Sequence, residues 1–280
     1  MSNTATVLAF DFGASSGRAI RAVYDGQNLT YEEIHRFENV PIEKDGHLCW
    51  DVETLLKEIH TAIQKAGTFD SLGFDTWGVD FGLLDADGHL LANPVHYRDA
   101  RTNGKPEQAA ACMPAEELYA HTGNQIMAIN TLFQLLALQE QEPELLQKAE
   151  QILFMPDLFA ALLGAEPVCE RSIASTSQML DPRTGQWSRE VLTAYGLKEN
   201  HFAPLVASGT VTGTLTTGAK IIAVAGHDTQ CASAAMPCAE EDAEHTAFLS
   251  CGTWSLLGTE LDAPILTADS CQSGLSNELG

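Results

Sequence analysis

The chain opens with three strand-like stretches in succession. Residues 6–12 (TVLAFDF) are a short apolar run rich in strand formers, and residues 18–24 (RAIRAVY) alternate like a half-buried strand. Small residues, Gly13-Ala14-Ser15-Ser16-Gly17, lie between them. Asp25-Gly26 marks a turn and residues 29–37 make a third strand, so the start is an antiparallel meander rather than strand–loop–helix. From Val52 the period changes. Val52, Leu55, Leu56, Ile59 and Ile63 recur at helical spacing, with Asp51 placed to cap the helix and Gly67 to stop it. Residues 72–74 and 79–84 return to strand patterning, and Asp85-Ala86-Asp87-Gly88 reads as a hairpin turn.

The middle reads as helical over 115–121, 131–141, 143–151 and 156–163, with the charged segment 140–150 a solvated face. Residues 221–225 (IIAVA) form a buried strand, followed by Gly226-His227-Asp228-Thr229 and a small-residue helix into Ala235. The acidic segment 237–244 is a linker candidate. After it, strands over 246–250 and 256–261 flank Cys251-Gly252-Thr253-Trp254-Ser255, echoing the strand–turn–strand of residues 6–24.

Composition narrows the function classes. With 280 residues and 45% hydrophobic content, the chain can build about two domains of roughly 150 residues, or one larger α/β domain. The longest apolar stretch, 154–164, is interrupted by Asp157 and is too short to span a bilayer. No positive region precedes the first apolar run, so no secretory leader is expected. Fifteen Lys+Arg against 38 Asp+Glu give a net charge of −23, which repels nucleic acid and anionic lipid. A local loop of amides can still bind a small phosphorylated ligand. The seven cysteines include no CxxC, and no histidines pair as HxxxH or HExxH, so no zinc site or disulfide framework is indicated. A reduced, cytoplasmic setting is expected.

Four segments carry candidate chemistry. In residues 11–18 (DFGASSGR), two glycines and two serines in a tight turn let backbone N–H groups converge as an anion nest. Asp11, at the end of the first strand, would sit beside bound phosphates and hold a hydrated Mg2+. The GxxxxGK[ST] loop is missing, and a plain hairpin is the bland alternative. Residues 252–255 (GTWS) repeat this kind of turn, and two such hairpins could hold a nucleoside triphosphate tail between two lobes. In Gly226-His227-Asp228-Thr229 the carboxylate is either a base for a substrate hydroxyl or, more commonly at such positions, a helix N-cap. Residues 75–81 and 97–101 bring Asp, Arg and aromatic groups to strand ends, as a polyhydroxylated ligand would require. Against that, Trp77 can be core and Arg98, Asp99 and Arg101 a surface ion-pair cluster.

Together these segments resemble the FGGY carbohydrate kinases. The similarity rests on DFGASSGR (11–18), FDTWGVDF (74–81), YRDARTNG (97–104), MPDLF (155–159), GHDT (226–229) and CGTWS (251–255), and covers essentially the whole chain. It implies an α/β fold: an actin-like ATPase (ribonuclease H-like), sugar-binding domain over residues 1–240, plus the start of a second, nucleotide-binding domain over 241–280. It implies that Gly13, Ala14, Ser15, Ser16, Gly17 and Arg18 meet the ATP phosphates, with Thr253 in a second phosphate loop. Gly78, His227, Asp228 and Thr229 would line the sugar site, with Asp228 the general base. The implied reaction transfers phosphate from ATP to the 1-hydroxyl of L-rhamnulose. Alternatives are a kinase for another ketose and an inactive sugar-binding fragment. Family members are longer, so the resemblance also implies a missing C-terminal lobe, with no appreciable turnover and with self-association through unpaired strands.

Overall fold

The computed structural model describes residues 4–239, 245–252 and 254–279. Strands β1 (Ala5–Phe12), β2 (Ser16–Tyr24) and β3 (Leu29–Glu38) pair antiparallel in succession, as the patterning requires. Strand β1 buries Leu8, Phe10 and Phe12 at alternate positions, which leaves Asp11 on the other face. Helix α1 (Val52–Ala66) starts where the Asp51 side chain accepts from the Thr54 amide and stops at Gly67, whose φ is 67°. Its buried stripe is Val52, Leu55, Ile59, Ala62 and Ala66. The chain then returns as β4 (Ser71–Thr76), parallel to β1.

Beyond β4 come β5 (Phe81–Leu84), α2 (Ala115–Thr122), α3 (Thr131–Gln141), α4 (Pro143–Lys148), β6 (Gln151–Phe154) and α5 (Met155–Leu162). They are followed by α6 (Arg171–Ser175), β7 (Thr210–Thr214), β8 (Lys220–Ala223) and α7 (Asp228–Ala234). A last hairpin pairs β9 (Phe248–Cys251) with β10 (Ser255–Gly258). The central sheet has six strands in the order β7-β8-β4-β1-β2-β3, with β8, β4 and β1 mutually parallel. Helix α5 packs on β4 and β8. Phenylalanine rings fill that layer: Phe10 stacks on Phe74 and Phe12 on Phe159, both at 4.8 Å, and Phe37 meets Phe12 edge-on at 5.2 Å.

Three expectations change. The helix expected over 143–151 ends at Lys148, because Gln151–Phe154 pairs antiparallel with Phe81–Leu84 and extends the chain. The strand expected from residue 79 begins at Phe81, because Val79 has a φ of 69°, outside strand geometry. Asp228 is the first residue of α7 rather than its N-cap, which is His227. Thr253 and most of the linker candidate, 240–244, lie outside the described residues. Among the described residues no helix is long and apolar enough to cross a membrane.

Gly17 sits within β2, between Phe12 of β1 and Phe37 of β3. A Cβ there would lie 2.3 Å from the Phe37 ring. Gly17→Ala should therefore cost about 1–3 kcal/mol by overpacking, seen as a lower denaturant midpoint at unchanged slope. A midpoint equal to wild type would show that Phe37 moves aside freely.

Candidate functional site

The β1 register assembles a charged row at the carboxyl ends of the parallel strands. Asp11 pairs with Asp75 of β4 on one side and Arg18 of β2 on the other, and Arg18 in turn faces Arg36 of β3. Residues opposite one another in a ladder share a face, so the row reads Asp75, Asp11, Arg18, Arg36. The Arg18 Nε donates to Asp11 Oδ2 at 2.7 Å, with Nη2 2.5 Å from the same oxygen. Arg36 is held by Glu33 of its own strand. Burial, reinforced by the Asp11 and Asp228 carboxylates, holds the Asp75 carboxyl well above its ordinary range.

The turn between β1 and β2 has its carbonyls occupied from within. Gly13 N donates to Ser16 O at 2.9 Å, while Asn39 donates from N to Ser15 O and from Nδ2 to Gly13 O, each at 3.0 Å. Engaged carbonyls repel an anion less, which suits a phosphate nest. Gly13, Ala14, Ser15, Ser16 and Arg18 are at least partly exposed here, whereas Gly17 is buried beneath Phe37.

The segment after β8 is tied down at Gly226 and His227. Thr76 N donates to Gly226 O at 2.9 Å, extending the parallel pairing past the end of the ladder. A Cβ on Gly226 would lie 2.9 Å from Pro156 and 3.1 Å from Ile173, so only glycine fits. The fully buried Glu170 carboxylate accepts from Gly226 N at 2.9 Å, Ser172 N at 3.0 Å, Ser172 Oγ at 2.6 Å and Ser208 Oγ at 2.7 Å. Ser172 Oγ accepts in turn from His227 N at 3.4 Å.

Asp228 therefore follows a fixed backbone and is not the N-cap of α7. Its Oδ1 accepts from Thr229 Oγ1 at 3.2 Å, and burial, opposed by His227, raises its carboxyl above the ordinary 3.8. His227 places Nδ1 2.7 Å from Glu278 Oε2 and Nε2 3.5 Å from Asp228 Oδ1. Burial disfavours its cation, but Glu278, then Asp228 and Asp75, overcome that and raise the imidazole from 6.5 to about 9. Glu278, partnered by this cation, is held below its ordinary range against its own burial.

The segment 75–81 divides its labour. Gly78 is half-buried beside Thr176, whose side chain a Cβ would approach to 3.2–3.3 Å. Its neighbour Val79, β-branched at positive φ, is held by Thr176 Oγ1, which accepts from its N–H at 3.1 Å, and by Thr131 Oγ1, which donates to its carbonyl at 2.6 Å. Asp80 turns inward. It accepts from Trp50 Nε1 at 2.6 Å, Gln134 Nε2 at 2.8 Å, Trp77 Nε1 at 3.0 Å and Tyr97 N at 3.2 Å. Trp77 is core, as its bland reading held. Arg98, Asp99 and Arg101 do not form a surface ion-pair cluster among themselves. Arg98 lies over the Tyr97 ring, Asp99 accepts from Leu48 N and Arg101 N, and Arg101 Nη2 donates to Gln134.

Comparison with known proteins gives the family and the fold. Residues 6–234 match the profile of the FGGY family of carbohydrate kinases, N-terminal domain. The chain belongs to the FGGY family. It is 41% identical to a rhamnulokinase of Bacteroides thetaiotaomicron over 98% of its own length and 58% of that protein's. It is 39% identical to a rhamnulokinase of Enterococcus faecalis, over 98% and 57%. The chain thus spans under two thirds of these relatives. A ligand-bound xylulose kinase from Lactobacillus acidophilus superposes with TM-score 0.80 at 17% identity, over 95% of this chain and 56% of that one. A carbohydrate kinase from Novosphingobium aromaticivorans gives 0.77 at 22%, over 96% and 58%. The actin-like, ribonuclease H-like α/β fold expected for an FGGY N-terminal domain is the fold observed.

Asp75 lay within the 75–81 motif without being singled out as a site residue, although Phe74-Asp75 sits one residue from the end of β4 as Phe10-Asp11 does in β1. Glu170 and Glu278 reach the site from distant segments with no spacing to mark them.

Asp80 offers a pH test. Burial, partly offset by its four donors, raises it from 3.8 to about 6. The folded form keeps its proton longer than the unfolded, so its contribution to stability is full below 3.8 and lost as pH rises through about 6. Emission from Trp50 and Trp77 should show a transition near pH 6 that Asp80→Asn abolishes. A wild-type emission flat through that window would contradict the buried titration.

Proposed function

We propose that this FGGY chain binds L-rhamnulose and the phosphates of Mg·ATP, and supplies the base for transfer to the sugar's 1-hydroxyl. The observation that carries this reading is Asp228: a carboxylate at the mouth of a parallel strand, unused as a cap, beside a cationic His227. The similarity to two rhamnulokinases supports the sugar and the reaction.

In this reading Asp228 accepts the proton of the 1-hydroxyl as its oxygen bonds to the γ-phosphorus and the ADP oxygen departs. Gly78, His227 and Thr229 line the sugar. Gly13, Ala14, Ser15 and Ser16 present backbone amides to the phosphates, and Arg18 lends its guanidinium. Gly17 serves the same turn from below, by letting Phe37 pack. Thr253 would complete a second phosphate loop.

The residues suit a hydrated Mg2+. Asp11 Oδ1 is an oxygen donor without a partner among the described residues, beside the phosphate turn, and Mg2+ is bound through one or two carboxylates with waters retained. Bound there, Mg2+ would neutralise phosphate charge. The reading keeps a sugar-binding domain to about residue 240 and the start of a nucleotide-binding domain beyond it, and a cytoplasmic site of action, where ATP is available.

Calorimetry and thermal unfolding with a panel of ketoses test it. L-rhamnulose at 100 times its Kd should add about 2.7 kcal/mol, more than L-ribulose, D-xylulose or glycerol at equal concentration. No stabilisation by any ketose would sink the reading, and a larger effect from another ketose would reassign the sugar. In the chain extended to the relatives' length, Asp228→Asn should slow ADP release about 10²- to 10⁴-fold with sugar affinity little changed. Near-normal turnover would remove Asp228 as the base.

A further inference from the structure

The segment 275–279 is fastened to the first part of the chain on both sides of Glu278. Gln125 N donates to Ser276 Oγ at 3.0 Å, and Asn277 N donates to Gly123 O at 2.8 Å. Asn277 Nδ2 also donates to Gly123 O and to Ile265 O, both at 3.0 Å. On the far side, Leu279 N donates to Ser175 Oγ at 3.1 Å, at the end of α6. These anchors belong to residues 276, 277 and 279. Glu278 contributes none of them. Its carboxylate instead spends one oxygen, Oε2, on two groups of the 227–230 segment, His227 Nδ1 at 2.7 Å and Gln230 Nε2 at 2.9 Å.

We propose that Glu278 is a positioning residue of the sugar site: it fixes the His227 ring as a cation and turns its Nε2–H edge toward Asp228 and a ligand hydroxyl. This rests on the function proposed above. A buried carboxylate needs a cation or several donors, and here it has one of each. With Nδ1–H committed to Glu278, the ring cannot flip, and Nε2 is left as a donor 3.5 Å from Asp228 Oδ1. That separation is too long for a direct hydrogen bond and leaves Nε2–H for an oxygen of a neutral polyol held between them. The charges facing His227 are Glu278 from the strap, Asp228 from α7 and Asp75 from β4, with the Asp11–Arg18 pair one strand beyond. The site acids therefore have the imidazolium as their counter-charge, and Glu278 is what makes it permanent at neutral pH.

The test is an NMR titration of the histidine ring protons in this chain, assigned to His227 with His227→Gln. His227 should titrate near 9 in the wild type, against an ordinary 6.5. In Glu278→Gln, which keeps the size and a polar contact, the midpoint should fall to 6.5 or lower, and Glu278→Asp should restore part of the rise. L-rhamnulose affinity at neutral pH should drop about tenfold in Glu278→Gln, the loss expected for one charge-assisted hydrogen bond, and recover as pH is lowered to reprotonate the ring. A wild-type midpoint at or below 6.5, or a Glu278→Gln midpoint still near 9, would overturn the proposal without reference to sugar. If the titration behaves as expected but no ketose binds, the charge pairing stands, the sugar role of Glu278 is overturned, and the functional reading fails with it. Should Glu278→Gln be unfolded by its melting curve, the wild-type midpoint and Glu278→Asp still decide.

Discussion

Strand β1 is paired along nearly its whole length on both sides, antiparallel to β2 and parallel to β4, and the charged row Asp75, Asp11, Arg18 depends on that register. The alternation that sinks Leu8, Phe10 and Phe12 into the aromatic layer leaves Asp11 beside Arg18 and Asp75 on the opposite face. A slip of one residue would exchange the two sets, burying a carboxylate among phenylalanines and exposing three large apolar side chains. The hydrophobic core and the charged row are therefore one constraint, satisfied at once or not at all.

Around that row the molecule keeps charge at depth by giving each buried ion a different kind of partner. Glu170 is surrounded by amide and hydroxyl donors, Asp80 by two indoles, an amide side chain and a backbone N–H. Asp75 has neither among the described residues, and burial, reinforced by the neighbouring Asp11 and Asp228, raises its carboxyl well above the ordinary range. The contrast separates residues that hold the architecture from those left open to a ligand: the former have complete donor shells, the latter do not.

How much of this could be read from the sequence follows the range of each interaction. The three-stranded meander, the Asp51 cap and Gly67 stop of α1, and the limits of α3 depend on neighbours within a few residues, and all stood where patterning placed them. The helix read over 143–151 ran past its true end into Gln151, and the strand Gln151–Phe154 was not seen, because what extends it is a strand about seventy residues earlier. Asp228 was legible as a candidate, yet whether it caps the helix turned on a one-residue shift of the helix start, the least readable feature of any helix. Gly17 was noticed for its turn, whereas the service its missing side chain renders to Phe37, from the neighbouring strand, was not legible. The links of Glu170 to Gly226 and of Glu278 to His227 were invisible because each spans more than fifty residues.

The buried Glu170 carboxylate, described above as a set of hydrogen bonds, is mechanically a rivet. It joins the start of α6, the Ser208 loop and the peptide ahead of His227 into one piece that has no slack. Asp228 consequently rides with the sheet and not with whatever follows α7. The position of the Asp228 backbone relative to the Asp11–Arg18 pair is therefore set by contacts made before Ala234, through the β4 pairing on one side and Glu170 on the other.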